Sequence, residues 1–119
     1  MGFDFADVPD ARVPVVKRDV FTLDGEFDIV WEYTCFCAID PSRRAEYVDV
    51  LSRILRKGAE LIALFYPLKD AGGGPPFPVE RGEVERLLAG RFRIDSEEVP
   101  KDSIERRRGF EVLVRARRL

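Results

Sequence analysis

Two strand-forming segments bracket one helix-forming segment, and that order restricts the fold more than any other feature of the chain. Phe27–Tyr33 (FDIVWEY) and Glu60–Tyr66 (ELIALFY) are rich in β-branched and aromatic residues and nearly continuous in hydrophobicity, the pattern of strands buried on both faces. Between them Asp40-Pro41 opens a helix, Asp40 as cap and Pro41 at the first helical position, where its missing N–H costs nothing. Ala45, Val48, Leu51 and Leu55 recur at helical spacing, and Lys57-Gly58 supplies the stop. Strand, helix, strand predicts a right-handed crossover, hence a parallel α/β sheet.

The rest of the chain extends that sheet. Val13–Val16 reads as a short strand, followed by the charged Lys17-Arg18-Asp19, then Val20-Phe21 and a turn at Asp24-Gly25. Pro67–Pro78 is a Gly/Pro-rich loop placed to act as a lid, and Glu83–Ala89 is a short helix ended by Gly90. Phe92–Val99 and Phe110–Arg117 alternate as strands and are expected to pair antiparallel. At 119 residues the chain suits one domain.

Composition removes several chemistries. Histidine is absent, so Ser-His-Asp and Cys-His catalysis are excluded within this chain. Cys35 and Cys37 fall short of the donors a tetrahedral metal needs, so no metal site is expected and both read as buried free thiols. The acidic start MGFDFADVPD and the lack of a long apolar run predict a soluble, cytoplasmic protein with no membrane partner. Residues 101–119 carry seven Lys or Arg against three acids, yet Arg115 and Arg117 alternate as a solvated strand face and no aromatic platform accompanies them. Nucleic acid is therefore not an expected partner.

In open α/β sheets ligands bind beyond the carboxyl ends of the strands. Asp19–Thr22, Tyr33–Asp40 and Pro67–Pro78 are predicted to meet there.

The block DVFTLDGEFDIVWEYTCFCAIDPSRRAEYVDVLSRILRKGAELIALFYPL, followed by GGPPFPV, resembles the S-adenosylmethionine-dependent methyltransferases of the thiopurine, thiol and halide methyltransferase family. Four motifs occur in order: the aspartate-plus-aromatic turn, the strand running into Tyr-Thr-Cys-Phe-Cys-Ala-Ile, the Lys-Gly helix end and the Gly-Gly-Pro-Pro loop. The resemblance implies a Rossmann-like α/β sheet, mostly parallel with an antiparallel C-terminal strand. It implies S-adenosylmethionine as cofactor and a small soft methyl acceptor, whether thiol, halide or thiopurine-like.

By the same resemblance Asp19 accepts a hydrogen bond from the adenine amino group, with Val20 and the Phe21 ring beside the purine. Asp4 holds the ribose hydroxyls. Tyr33 and Thr34 line the site near the methionine portion and the acceptor, and Glu32 assists. The family's glycine-loop strand has no counterpart here, since Gly72-Gly73-Gly74 follows a different strand. The expectation is therefore a single, incomplete class I methyltransferase domain, 1–119, truncated at its N-terminus and weak or inactive alone. The alternative is a non-catalytic binding or oligomerisation module. Either reading leaves the Phe27–Tyr33 edge to be closed by a homodimer or by Val13–Val16 moving beside it.

Overall fold

The structure, a computed structural model, describes residues 17–68 and 73–119, so the strand expected at Val13–Val16 lies outside it. Four strands form one sheet: β1 (Phe27–Tyr33), β2 (Leu55–Phe65), β3 (Phe92–Glu98) and β4 (Val112–Arg118), in the order β1-β2-β4-β3. β1 and β2 are parallel and joined by helix α1 (Arg44–Ile54), as their sequence pattern requires. β4 runs antiparallel between β2 and β3. Helix α2 (Arg81–Leu88) connects β2 to β3.

The crossover helix starts as expected and stops early. Asp40 accepts from the Ser42 N–H at 2.9 Å and Pro41 leads a 3-10 turn, Pro41–Arg43, that continues into α1. Tyr47, Val48, Val50, Leu51 and Ile54 are buried, whereas Ala45 is exposed. The helix ends at Ile54 rather than at Lys57-Gly58, because Leu55, 1% exposed, already has extended backbone and begins β2. Arg56, Lys57 and Gly58 form an outward bulge instead: the register advances from Phe27 to Ile29 on β1 while β2 advances from Leu55 to Glu60. Gly58 takes φ 77 there, a conformation that favours glycine.

One sheet face holds the core. Leu61, Ala63 and Phe65 of β2 and Val112, Val114 and Ala116 of β4 are all buried against Val48 and Leu51 of α1 and Val84 and Leu88 of α2. Each large aliphatic side chain so buried contributes roughly 1.5–3 kcal/mol.

The other face corrects the expectation that β1 is buried on both sides. Phe27, Ile29 and Trp31 are 48%, 56% and 59% exposed. β1 is the edge strand of the described sheet, and both described helices pack on the opposite face, so none of the described elements covers its outward apolar residues. On β4 the outward Arg115 pairs with Glu60 and Arg117 with Asp95, the solvated strand face that alternation predicted. Among the described residues no helix is long and apolar enough to cross a membrane.

Candidate active site

The chain leaves β1 through a tight turn organised around a buried acid. Glu32 is 3% exposed; its Oε1 accepts from the Phe36 N–H at 2.5 Å and from the Tyr47 O–H at 3.2 Å. Thr34 takes φ 61 and its Oγ1 donates to the Tyr33 carbonyl at 2.7 Å. Phe36 packs edge-on to Phe65, ring centroids 5.0 Å apart, which anchors the turn in the core.

Burial sets the protonation of this cluster. It pushes the Glu32 carboxyl up to about 7, against the Phe36, Tyr47 and Cys35 donors that pull it back. It raises Cys35 to about 11, raises Cys37, and lifts Tyr47 well above its ordinary value. Both cysteines are free, Cys35 half-buried and Cys37 buried. They are neutral packing thiols rather than nucleophiles. Among the described residues no group of three His, Cys, Asp or Glu stands together as a metal site.

Tyr33 links this turn to the β3–β4 connection. Its hydroxyl donates to Glu111 Oε2 at 3.0 Å and accepts from Arg107. The Arg107 guanidinium lies 4.6 Å from the Tyr66 ring centroid and 5.3 Å from that of Tyr33. Burial, then the Glu111 hydrogen bond, raises the Tyr33 phenol, so it stays neutral.

The Gly/Pro-rich loop is tied over the same edge. The Phe77 N–H donates to the Cys37 carbonyl at 2.7 Å. Arg44, buried at 2% exposure, donates to the carbonyls of Phe77 and Pro78 at 3.2 and 3.1 Å and to Glu83, with its guanidinium over the Phe36 ring. Those ties place Pro75 and Pro76 against Thr34, Cys37, Ala38, Tyr66 and Arg107 around a cavity of about 270 Å³. A larger hollow, about 620 Å³, lies between Trp31, Tyr33, Leu64 and the Val99–Ile104 connection. Both lie at the carboxyl ends of β1 and β2; the smaller cavity is the better active-site candidate, because its one charged group is the Arg107 guanidinium, whereas the larger hollow sets Lys101 among the carboxylates of Glu98, Asp102 and Glu111.

Asp19, Val20 and Phe21 gather beside the start of α1. Asp19 caps a 3-10 turn, Val20–Thr22, its Oδ1 accepting from the Phe21 N–H at 2.9 Å. The Arg43 guanidinium covers one face of the Phe21 ring at 3.5 Å. Asp4 lies outside the described residues.

The structure thus sets Thr34 in the wall of the smaller cavity and Tyr33 in that of the larger hollow, with Glu32 beneath them, and leaves Asp19–Phe21 across the helix start. Arg107, Glu111, Tyr66 and Arg44 were missed by sequence reasoning. Arg107 sits in the run Arg106-Arg107-Arg108, where nothing distinguishes one arginine from its neighbours.

The profile of the family described as thiopurine S-methyltransferase matches residues 3–117. Thiocyanate methyltransferase 1 of Arabidopsis thaliana is 36% identical over 107 residues, covering 87% of this chain and 47% of that protein. Thiopurine S-methyltransferase of Equus caballus is 42% identical over 67 residues, 54% of this chain and 26% of that protein. The chain spans less than half the length of these curated relatives. Among solved structures, a SAM-dependent methyltransferase from Methanosarcina mazei superposes with a TM-score of 0.67 at 17% identity, covering 86% of this chain and 65% of that one. A 1,6-didemethyltoxoflavin-N1-methyltransferase of Burkholderia thailandensis, with bound S-adenosylhomocysteine, gives 0.62 at 22% identity, covering 87% and 49%. These last likenesses establish the Rossmann-like methyltransferase fold, and with the profile match over nearly its whole length the chain belongs to the thiopurine S-methyltransferase family.

Proposed function

We propose that this chain is an S-adenosylmethionine-dependent methyltransferase for a small soft nucleophile: a thiol, a halide-like anion or a thiopurine-like thiolate. The observation that carries the reading is the wall of the smaller cavity, which holds the guanidinium of Arg107 and neither imidazole nor carboxylate. A cation without a general base suits an acceptor that arrives as an anion or ionises unaided. Relatives named for thiocyanate and thiopurine support that acceptor class.

Bound S-adenosylmethionine supplies a methyl group on an already electrophilic sulfonium. The chain's own residues align the acceptor and exclude water. The Asp19–Phe21 turn fits an adenine: an exposed carboxylate with a half-buried ring beside it offers one acceptor and one aromatic surface. In this reading Asp19, Val20 and Phe21 hold the purine and Asp4 the ribose. Tyr33 faces the methionine portion, Tyr33 and Thr34 border the acceptor, and Glu32 acts from beneath through the turn. The two free thiols fit a reducing, cytoplasmic compartment.

The test is calorimetric titration with S-adenosylhomocysteine, followed by methyl transfer from S-adenosylmethionine to iodide, thiocyanate and a simple thiol. Heat and product support the proposal; the absence of both refutes it. Heat without product supports a binding module.

A second reading, oligomerisation, rests on the exposed β1 edge. Phe27, Ile29 and Trp31 alternate on one face, so antiparallel pairing of two copies about Ile29 sets each Phe27 opposite a Trp31. Concentration-dependent mass by light scattering tests the homodimer.

A further inference from the structure

The Glu32 carboxyl is shut away from solvent, yet the turn beneath the cavity hangs from it. Its Oε1 accepts from the Phe36 N–H and the Tyr47 O–H, the Cys35 N–H also faces the carboxyl, and its Oε2 is buried without a hydrogen-bond partner among the described residues. Among the described residues the groups around it are Tyr47 from α1, the thiols of Cys35 and Cys37 from the turn, and Ala63 opposite on β2, none of them a cation. The described cations of the region are committed elsewhere, Arg44 to Glu83 and the carbonyls of Phe77 and Pro78, Arg107 to Tyr33. An ionised carboxylate in this place leaves one oxygen bare in apolar surroundings, which is costly. A protonated one carries its hydrogen on Oε2 and leaves Oε1 free to accept both donors.

We propose that Glu32 is a positioning residue that holds the Tyr33–Ala38 turn in its site-forming shape as a neutral acid, so that ligand binding at this edge is linked to a proton. The identity of the ligand rests on the methyltransferase reading; the behaviour of the turn does not. The rise of the carboxyl to about 7 agrees in direction. Its value in the fold lies above the ordinary 4.5, so the stabilising contribution is complete below about pH 4.5 and is lost as pH rises through 7. Site formation therefore weakens across neutrality.

The amide resonances of Phe36 and Thr34 in the whole chain report the turn directly. They are to be followed from about pH 5 to 8.5 in wild type, Glu32→Gln and Tyr47→Phe, with S-adenosylhomocysteine titrated at both ends of the range. In wild type the Phe36 amide should shift with a midpoint near 7, and affinity should fall on the order of tenfold as pH rises from about 6 to 8. Glu32→Gln keeps an acceptor but cannot ionise, so its Phe36 amide should not titrate and its affinity should be flat with pH. Tyr47→Phe removes one donor to Oε1 and should raise the midpoint further. A Phe36 amide that is silent in wild type, or that titrates equally in Glu32→Gln, overturns the proposal. Should the ligand bind at no pH, the methyltransferase reading of this chain fails, while the amide titration still decides the role of Glu32.

Discussion

Arg44 and Glu83 join α1 to α2 across the Gly/Pro-rich loop, with the arginine Nη1 3.0 Å from both carboxylate oxygens and its side chain 3% exposed. The same guanidinium serves two loop carbonyls, so one side chain fixes two helices and the cavity's lid. Arg44→Ala leaves Glu83 half-paired and two carbonyls unserved, and should cost about 3–5 kcal/mol in urea denaturation. Arg44→Lys should rescue little, since an ammonium cannot reproduce the planar fork. A loss below about 1 kcal/mol would show the pair to be incidental.

Arg107→Ala should act on the acceptor rather than the cofactor. Methyl transfer to iodide or a small thiol should fall by about 10- to 100-fold, the loss of one charge-assisted contact. S-adenosylhomocysteine affinity should change little. An equal loss in both would assign Arg107 to folding of the β3–β4 connection.

Asp19→Ala should weaken S-adenosylhomocysteine binding by about 1–3 kcal/mol. The lost cap of the Val20–Thr22 turn adds about 1 kcal/mol of destabilisation. Asp19→Asn separates the two, keeping a capping oxygen while removing the charge. If the asparagine variant binds as wild type does, the carboxylate charge is irrelevant to the site.

Cys35 should resist alkylation in the native chain and react readily in urea. Its thiol stays neutral in the fold up to about pH 11, against an ordinary value of 9.0. This group thus favours the fold below about pH 9 and ceases to do so as pH rises through 11. Fast native labelling at pH 8 would contradict the burial that sets it.

Trp31, the sole tryptophan, lies 6.3 Å from Tyr33 between ring centroids and borders the larger hollow. Its emission should shift when S-adenosylhomocysteine binds. Ile29→Lys should abolish any concentration dependence of mass while leaving that shift intact. A dimer that survives Ile29→Lys pairs through some other surface.

The four described strands, the crossover and the helix cap were legible because each is written in local spacing, within a few residues of itself. What β1 buries was not: an apolar strand states a preference, and whether a neighbour satisfies it depends on the rest of the sheet. The site's polar ties were equally silent. Arg44 meets Glu83 across 39 residues, Arg107 meets Tyr33 across 74 and Glu111 meets Tyr33 across 78. The family resemblance put Glu32 among the expected site residues, but its inward aim was not legible, since strand alternation alone does not say which face meets the core.

Thr34 stands at φ 61, where a β-branched side chain is strained, in the turn that Glu32 holds. Glycine there should stabilise the chain by about 1 kcal/mol while loosening the cavity wall. Position 34 is consequently a trap for directed evolution: a heat-challenge screen would enrich replacements at this residue early, and each would trade recognition for robustness. Libraries built on this scaffold need binding scored in the same round as melting, or selection will discard the turn that makes the cavity.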